Sequence, residues 1–239
     1  MIFKVGILGV SGRVGRELTS LLSDDFALGG DRFEFCDGIS QNKRLQSIDG
    51  IAVRSLTDPA REPVHVWIDF SRPEATLALL KTIQEPIVIG TTGFSESEFR
   101  DIQSYAKKHP VLLTSNTSPG MNLMMSMLEQ IPGASHMRYD VLASEIHHRG
   151  KKDSPSGTLK TLLDILQAQG FKQVQVQTAR VGDEKGTHTV SFFSDDEELT
   201  VTHRVNQRRV FARGALIAAR FIAQQKKPGL YRFQDMEKR

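Results

Sequence analysis

Short apolar runs and helical patterns alternate along the first half of the chain. The apolar runs are too short for helices and end in turn residues, so each of them predicts a buried strand. These strands are predicted at 2–8, 32–37, 64–70, 86–90 and 110–114. Apolar residues at helical spacing lie between them and predict helices at 13–23, 72–83 and 95–108. Strand–helix alternation of this kind predicts an α/β domain, in which helices cover a parallel sheet.

The pattern changes after about residue 120. A methionine-rich stretch predicts a helix at 121–131, and a second helix is predicted at 157–169. Longer β-type runs surround the second helix, at 138–146, 173–180, 187–193 and 198–205. These runs predict a smaller α+β domain with a mixed or antiparallel sheet.

The last apolar stripe, at 214–225, is typical of a helix that packs on one side. We expect this helix to return to the first domain. The predicted boundaries are therefore 1–118 for the first domain, with 213–239 packing back on it, and 119–212 for the second.

Composition excludes several classes of protein. The chain has 239 residues, 39% of them hydrophobic and 25% charged, as in ordinary soluble globular proteins rather than disordered ones. The net charge of +3 is too small to indicate nucleic-acid binding. No apolar run reaches the roughly 18 residues of a membrane span. The single cysteine, Cys36, cannot form an internal disulfide, which fits a reducing cytoplasm.

The segment "GVSGRVG" places Gly9, Gly12 and Gly15 between the first predicted strand and the first predicted helix. Glycines permit a tight turn and a close approach to a pyrophosphate, which the N–H groups of the following helix can bind. Arg13 adds a positive charge. The spacing differs from the commonest G-x-G-x-x-G, and a simple turn is the alternative. The position directly after the first strand favours a dinucleotide site.

An acidic residue at the end of the next strand is expected to bind the adenosine ribose of such a cofactor. Asp37 ends the predicted strand 32–37 and fits this role. An acid there favours NADH over NADPH. Lys43 and Arg44, however, follow closely enough to meet a 2′-phosphate. The sequence leaves the choice between the two cofactors open.

Three further polar loops follow predicted strands, at 69–73, 90–95 and 114–122. Parallel strands end at one edge of a sheet, so these loops are expected to face the same crevice as the glycine loop. Thr91 and Thr92 offer hydroxyls between two glycines. Ordinary turn chemistry explains each loop alone, but three on one edge favour a ligand site.

The segment "SEIHHRGKKDSPSGT", at 144–158, gathers candidate catalytic groups. A metal site is not favoured, because the neighbouring His147 and His148 point to opposite faces of a strand and cysteines are lacking. Nucleic-acid binding is not favoured either, since this segment contains no phenylalanine, tyrosine or tryptophan that could stack on a base. The serious alternative is a solvated basic loop. Against it, "SPSGT" opens a predicted helix and forms an anion site, with histidine and lysine nearby for proton transfer.

The stretch "EIHHRGKKDSPSGT" resembles the signature of the 4-hydroxy-tetrahydrodipicolinate reductase (dihydrodipicolinate reductase) family of the diaminopimelate and lysine pathway. The resemblance continues through "GVSGRVG", "DFSRPEA", "GTTGF", "RVGDEKGTHTVSFF" and "FARGALIAARFI", and covers nearly the whole chain. It implies a Rossmann-like domain that binds NADH or NADPH, and a mixed-sheet domain that also builds a homotetramer. It further implies reduction of a small cyclic dicarboxylate, in the cytoplasm and without nucleic-acid or membrane partners.

The resemblance also implies roles for individual residues. It makes His147 a proton donor or acceptor and Lys151 a second proton donor. The residues that it assigns to the substrate carboxylates are His148, Gly157, Thr158 and Thr92. The residues that it assigns to the pyrophosphate are Gly9, Val10, Ser11, Gly12, Arg13 and Val14. Those that it places around the nicotinamide and its ribose are Gly90, Thr91, Thr92, Thr114, Ser115, Asn116 and Thr117.

Two features depart from the family pattern. The segment between Asp37 and Asp69 is shorter than is usual, which affects the adenosine end of the cofactor site. Thr117 stands where the family often has an aromatic or apolar residue, and Pro119 is unusual. Two other functions are weighed against the reductase: a dinucleotide sensor without catalysis, and a nicotinamide-linked reductase of another small carboxylate. The histidines, the lysine and the Ser-Gly-Thr run argue against the sensor.

Overall fold

A computed structural model describes residues 1–24, 26–41, 45–58, 62–131 and 139–236 of the chain. The described chain divides into two compact units. The first comprises Met1–Ser118 together with the chain from Arg208 onward, and the second comprises Pro119–Gln207. The second crossing between the units thus lies at Gln207 rather than at the predicted residue 212, because the last helix begins earlier than its apolar stripe indicates.

The described residues form thirteen strands and six α-helices. The strands are β1 (Ile2–Leu8), β2 (Ala27–Leu28), β3 (Asp31–Ile39), β4 (Ser47–Ile48), β5 (Ile51–Arg54), β6 (Val66–Asp69), β7 (Ile87–Ile89), β8 (Pro110–Leu113), β9 (Asp140–His147), β10 (Val174–Arg180), β11 (Thr187–Phe193), β12 (Glu198–Arg204) and β13 (Gly229–Tyr231). The helices are α1 (Arg13–Ser23), α2 (Pro73–Leu80), α3 (Glu96–Ala106), α4 (Pro119–Glu129), α5 (Gly157–Ala168) and α6 (Arg209–Ala223). A short 3₁₀ helix, Phe233–Met236, follows β13.

The first unit is built on one sheet with the strand order β13-β8-β7-β6-β1-β3-β5-β4, and β2 pairs with β3. All neighbours from β13 to β5 are parallel. Strand β1 lies between β3 and β6, where the order of winding reverses, and ligands of such sheets bind at that point. This arrangement confirms the predicted Rossmann-like domain. Pattern reasoning missed β2, β4, β5 and β13, because strands of two to four residues are too short to show a period.

Helix α6 belongs to the first unit and packs against α1 and strands β6 to β8. Its buried face is rich in small residues, among them Ala212, Ala215 and Ala219. Such residues permit a close approach of the helix to the sheet, and Leu216 fills the core beside them. The helix begins at Arg209 rather than at residue 214, because its first turn carries charged residues that hide the period.

The second unit contains a four-stranded sheet with the order β10-β9-β11-β12. Strands β9 and β10 are parallel, whereas β11 is antiparallel to both β9 and β12. This is the mixed sheet that the sequence predicts. Helices α4 and α5 pack together and cover one face of it. The core between them contains Met121, Met125, Leu162, Val190 and Phe192. The methionine-rich helix is therefore a core element of this unit.

The described part of the chain contains no helix that is long and apolar enough to cross a membrane.

Helix α3 begins with a capping box. The Ser95 hydroxyl accepts the Glu98 N–H at 3.4 Å, and the Glu98 carboxylate accepts the Ser95 N–H at 2.7 Å. We expect Ser95→Ala to lower the free energy of unfolding by about 1 kcal/mol, because an orphan helix N–H loses its acceptor. Urea denaturation measures this loss. Ser104→Ala, inside the same helix, is the control and should cost nothing; equal effects of the two variants would contradict the capping role.

Candidate active site

The glycine loop joins β1 to α1 and is shaped by close backbone contacts. Gly9 has a φ of 86°, and a Cβ placed there would lie 2.3 Å from the Phe70 carbonyl oxygen. A Cβ at Gly15 would lie 2.3 Å from the carbonyl oxygen of Gly9. Gly12 is the N-cap of α1 and has no side chain to cover the first N–H groups of the helix. The loop therefore fits a pyrophosphate.

The other residues of this loop differ in exposure. Val10 is fully buried in the core, so its side chain supports the loop from below. Arg13 is exposed, while Ser11 and Val14 are half-buried. Of the loop side chains, only those of Ser11 and Arg13 are thus polar groups that solvent reaches. Backbone groups form most of the surface that the loop presents.

A cavity of about 1020 Å³ opens beside the glycine loop. Its walls come from this loop and from the segments that follow β3, β5 and β6. The lining includes Gly9, Ser11, Gly12, Ser40, Gln41, Arg54, Asp58, Ser71 and Arg72. The carboxyl ends of parallel strands thus meet at one cavity, as the general rule for such sheets predicts. The size is that of a cofactor site.

Buried hydrogen bonds hold the segment after β6 against the segment after β7. The fully buried carboxylate of Asp69 accepts bonds of 2.5 Å from the hydroxyls of Ser71 and Thr76. Burial raises the pKa of Asp69 to about 6, although these bonds act in the opposite direction. Thr91 Oγ1 accepts the Ser71 N–H at 2.8 Å, so Thr91 supports the loop. Thr92, the next residue, is exposed, and Gly90, which precedes Thr91, is half-buried.

The loop after β8 is held by its own polar groups. The Thr114 hydroxyl donates to the Asn116 carbonyl at 2.8 Å, and Asn116 Oδ1 accepts the Ser118 N–H at 2.8 Å. Ser115 is half-buried between them. Thr117 is buried, and its hydroxyl donates to the Phe211 carbonyl of α6 at 2.8 Å. The side chain of Thr117 thus anchors the loop to α6.

Asp37 does not end its strand, which corrects the sequence prediction. Strand β3 runs on to Ile39, because "DGI" continues its pairing with β1. The carboxylate of Asp37 is 1% exposed and accepts three hydrogen bonds of 2.8–3.0 Å from the Arg54 guanidinium. Lys43 and Arg44, the predicted partners of a 2′-phosphate, lie outside the described residues.

In the second unit, β9 and β11 bring together a buried cluster around Glu145. The alternation of side chains along β9 places Glu145 and His147 on the same buried face, and strand register places His188 of β11 opposite Glu145. The Glu145 carboxylate lies 2.7 Å from Arg180 Nη2, 3.5 Å from His188 Nε2 and 3.6 Å from His147 Nδ1. It also accepts the Ser156 N–H at 3.1 Å.

This cluster determines the protonation of its members. Burial alone would raise the pKa of Glu145, but hydrogen bonds from His188, Ser156 and Arg180 hold it below its usual range. Burial lowers the pKa of His147 from 6.5 to about 4, and the neighbouring charge on His188 acts in the same direction. Glu145 is therefore ionised and His147 neutral at pH 7.

Ser156, Gly157 and Thr158 open helix α5, as the sequence predicts. The Ser156 hydroxyl accepts the Leu159 N–H at 3.1 Å and so caps the helix. Gly157 is half-buried, and Thr158 is buried. An anion at this end of the helix would gain from the helix dipole.

Lys151 and His148 lie between β9 and this helix. Lys151 Nζ donates to Asp153 at 2.9 Å, and its charge lowers the pKa of His147, so the two groups interact electrostatically. His148 directly follows the last residue of β9 and is half-buried. The second unit thus gathers the predicted catalytic and carboxylate-binding residues around one strand end and one helix start.

Sequence reasoning missed Glu145, Arg180 and His188. Glu145 lies two residues before His147 on the same strand, and this spacing was a usable signal. Arg180 and His188 are distant in sequence, and only the pairing of β10 and β11 with β9 brings them to Glu145. These residues set the electrostatic environment of His147, which with Lys151 is the proposed proton-transfer pair.

The absence of a metal stays a prediction. One ligand atom each of Glu145, His147 and His188 lies within 4.8 Å of the others, close enough to hold an ion. The Arg180 guanidinium, however, already places a positive charge 2.7 Å from the Glu145 carboxylate. A second positive charge beside it would be repelled. Metal analysis of the purified protein tests this prediction.

The low pKa of His147 predicts a pH dependence of stability. Between pH 6.5 and about 4 the unfolded chain binds a proton at His147 that the folded chain does not. The free energy of unfolding should therefore fall as pH falls through this range, by up to about 3 kcal/mol from this residue. Urea denaturation at a series of pH values measures it. His147→Gln should flatten the curve, and an unchanged slope in that variant would refute the assignment.

Comparison with known proteins gives consistent results for both units. Residues 3–117 match a family model described as dihydrodipicolinate reductase, N-terminus, and residues 120–236 match its C-terminal counterpart. A 4-hydroxy-tetrahydrodipicolinate reductase of Bdellovibrio bacteriovorus is 35% identical over 98% of this chain and 95% of its own length. One of Wolinella succinogenes is 35% identical over 97% and 98%.

Solved structures show the same fold. A dipicolinate-bound dihydrodipicolinate reductase from Paenisporosarcina sp. TG-14 superposes with a TM-score of 0.75 at 17% identity and covers 99% of both chains. An aspartate dehydrogenase from Thermotoga maritima superposes with a TM-score of 0.56 at 18% identity, over 94% of this chain and 97% of its own.

Proposed function

The chain belongs to the dihydrodipicolinate reductase family, and from this premise we propose that it reduces 4-hydroxy-tetrahydrodipicolinate to tetrahydrodipicolinate with NADH or NADPH. The observation that carries the proposal is the cluster of His147, Glu145 and His188 beside the start of helix α5. A proton-transfer group next to an anion site suits an acidic substrate that is to be protonated. A cofactor-binding module without catalysis has no use for it.

The first unit supports cofactor binding. Backbone oxygens lie where a Cβ at Gly9 or Gly15 would stand, so these positions admit no larger residue. The N–H groups at the start of α1 are suited to a pyrophosphate. When bound, NADH or NADPH supplies the hydride for the reduction. The glycine loop would hold the pyrophosphate of the cofactor. The loops after β7 and β8 would hold its nicotinamide end.

The second unit supports substrate binding. Two carboxylates of a cyclic substrate would be bound by Lys151 and His148 and by the helix start at Gly157 and Thr158. Lys151 brings a full positive charge, and its partner Asp153 is 47% exposed, so a substrate carboxylate can replace it. These residues orient the ring and neutralise its charge.

The conversion balances when the 4-hydroxyl group leaves as water and the resulting double bond takes up a hydride from the cofactor and one proton. Protonation of the ring is the task of His147 and Lys151. His147 is neutral at pH 7 in the free protein, because burial holds its pKa at about 4. A dicarboxylate nearby adds negative charge, which raises the pKa of His147 and favours proton uptake. Lys151, whose charge acts on His147, is the second group that we propose for this role. The Glu145 carboxylate lies 3.6 Å from His147 Nδ1, and its negative charge acts to raise the pKa of His147.

A steady-state assay tests the proposal. The unstable substrate is made in situ by a coupled synthase, and oxidation of NADH and of NADPH is followed at equal concentrations. Turnover that depends on the synthase product is the expected result. Cofactor binding without such turnover would exclude this substrate and return the sensor, or a reductase of another carboxylate, to consideration.

We also propose that the chain forms a homotetramer in the cytoplasm. The sheet face opposite helices α4 and α5 carries mainly uncharged residues. Its hydroxyl groups pair across β11 and β12, as Thr189 does with Thr202 at 3.0 Å and Ser191 with Thr200 at 2.7 Å. Ile146 and Phe193 on the same face are 38% and 37% exposed. Such a face suits sheet-to-sheet association, which analytical ultracentrifugation tests.

A further inference from the structure

Strand register places Ser40, and not Asp37, at the edge of the sheet beside the glycine loop. Leu8, the last residue of β1, pairs with Ile39, and the N–H groups of Gly9 and Val10 both donate to the Ile39 carbonyl. Ser40 is the residue that follows. Its hydroxyl lies 2.7 Å from the hydroxyl of Ser11 in the glycine loop. Ser40 therefore occupies the strand end at which a dinucleotide-binding fold reads the adenosine ribose.

Asp37 lies three residues before Ser40 and is 1% exposed. It pairs with Gly6, inside β1. Because side chains alternate along a strand, Asp37 shares a face with Ile39, which packs in a core cluster with Trp67. Asp37 is also not among the described residues that line the cavity beside the glycine loop. Its carboxylate thus meets Arg54, which itself lines the cavity, and is not exposed to a bound ribose.

The carboxylate of Asp37 is committed to Arg54. Both of its oxygens accept hydrogen bonds from the guanidinium, and Arg54 is 6% exposed. Arg54 also donates to the Asp58 carbonyl at 2.8 Å. Turning Asp37 toward a ribose would leave a buried guanidinium charge unpaired, which costs several kcal/mol. Asp37 and Arg54 therefore form an internal support for the segment after β5.

Other groups are left to meet the ribose. Ser40 and Gln41 line the cavity: Ser40 is 7% exposed, with its hydroxyl against that of Ser11, and Gln41 is exposed and carries an amide. Asp58 also lines it, but its Oδ2 accepts the Ser55 N–H at 2.8 Å and closes the turn after β5. A hydroxyl at the strand end can form a hydrogen bond with the ribose hydroxyl of NADH. Because it carries no charge, it does not repel the 2′-phosphate of NADPH.

We propose that Ser40 is the residue that faces the adenosine 2′ position, and that Asp37 has no part in the choice of cofactor. This inference rests on the proposed use of NADH or NADPH and deepens it. With no carboxylate at the end of β3, the chain accepts both cofactors. The acid that a sequence pattern assigns to the ribose is a structural residue in this protein.

Binding measurements without substrate test the inference separately from the reaction. The dissociation constants of NADH and NADPH are measured by calorimetry for each protein, and their ratio is compared, because a ratio is insensitive to a loss of folded protein. Ser40→Asp should weaken the binding of NADPH relative to that of NADH by about tenfold or more. The reason is that the new carboxylate at position 40 repels the 2′-phosphate. Asp37→Asn combined with Arg54→Gln removes the buried pair without leaving an unpaired Arg54 charge at the cavity wall. This double variant and Asp58→Asn should each change the ratio by less than about twofold.

A second substitution covers the case in which aspartate disturbs the loop. Ser40→Ala removes the hydroxyl without adding charge, and it should weaken the binding of NADH more than that of NADPH. An unchanged ratio in both Ser40 variants would overturn the proposal, and so would a large shift of the ratio in the double variant at Asp37 and Arg54. Missing turnover with intact cofactor binding would count against the proposed reaction alone.

Discussion

Replacing His147 and Lys151 together by alanine is expected to lower kcat by about 10³-fold or more, because both positioned proton-transfer groups are lost. Affinity for NADH and NADPH should stay within about twofold, since the glycine loop and its cavity belong to the other unit. Steady-state kinetics with the coupled synthase measures the first quantity. Calorimetry with each cofactor measures the second.

Lys152→Ala is the matched control for this variant. Lys152 is exposed and adjacent to Lys151, so the same charge is removed outside the cluster. It should keep nearly full activity. Each single variant, at His147 or at Lys151, should fall between the control and the double variant. Full activity of the double variant would refute the roles assigned to both residues.

Glu145→Gln is expected to lower the free energy of unfolding by about 3 kcal/mol, because it leaves the Arg180 charge without its anionic partner. Glu145 is 1% exposed, and the Arg180 side chain is 17% exposed, so water compensates little. The variant should also lose activity, since the Glu145 charge, 3.6 Å from His147 Nδ1, favours the protonated form of His147. Urea denaturation at pH 7 measures the stability, and kcat is measured on protein shown to be folded.

Asp153→Asn is the control for stability. Asp153 pairs with Lys151 near the surface and is 47% exposed. Exposed ion pairs contribute roughly 1 kcal/mol at most, so this variant should be nearly as stable as the original protein. A loss in Glu145→Gln no larger than in Asp153→Asn would show that the cluster around Glu145 does not hold the second unit together.

Glu145→Gln should also change the pKa of His147, an effect that is measured independently of stability. The negative charge of Glu145 acts to raise the pKa of His147, against the effects of burial and of His188. Its removal should therefore lower the pKa of His147 further. The ring of His147 should stay neutral to lower pH in the variant, and NMR titration of its side chain reads this directly. A pKa that moves upward would contradict the described contacts.

Local features of this protein were determined by the sequence itself. The alternation of short apolar runs with helical periods predicts most of the strands and helices of the first unit and its parallel sheet. Gly9 follows the first strand because the turn there needs a residue without a Cβ. Ser95 with Glu98 marks the start of α3, and Ser156 marks the start of α5. Such signals lie within a few residues of one another, so the sequence displays them directly.

Contacts between side chains that are distant along the chain were determined by the tertiary structure alone. Sequence position predicts that Asp37 binds the ribose, whereas the pairing of β3 with β5 brings its carboxylate to Arg54. Glu145 meets Arg180 and His188 only because β10 and β11 flank β9 in one particular register. A shift of one residue would turn these side chains to the other face. Register depends on the packing of the whole sheet, and for this reason no local pattern in the sequence contains it.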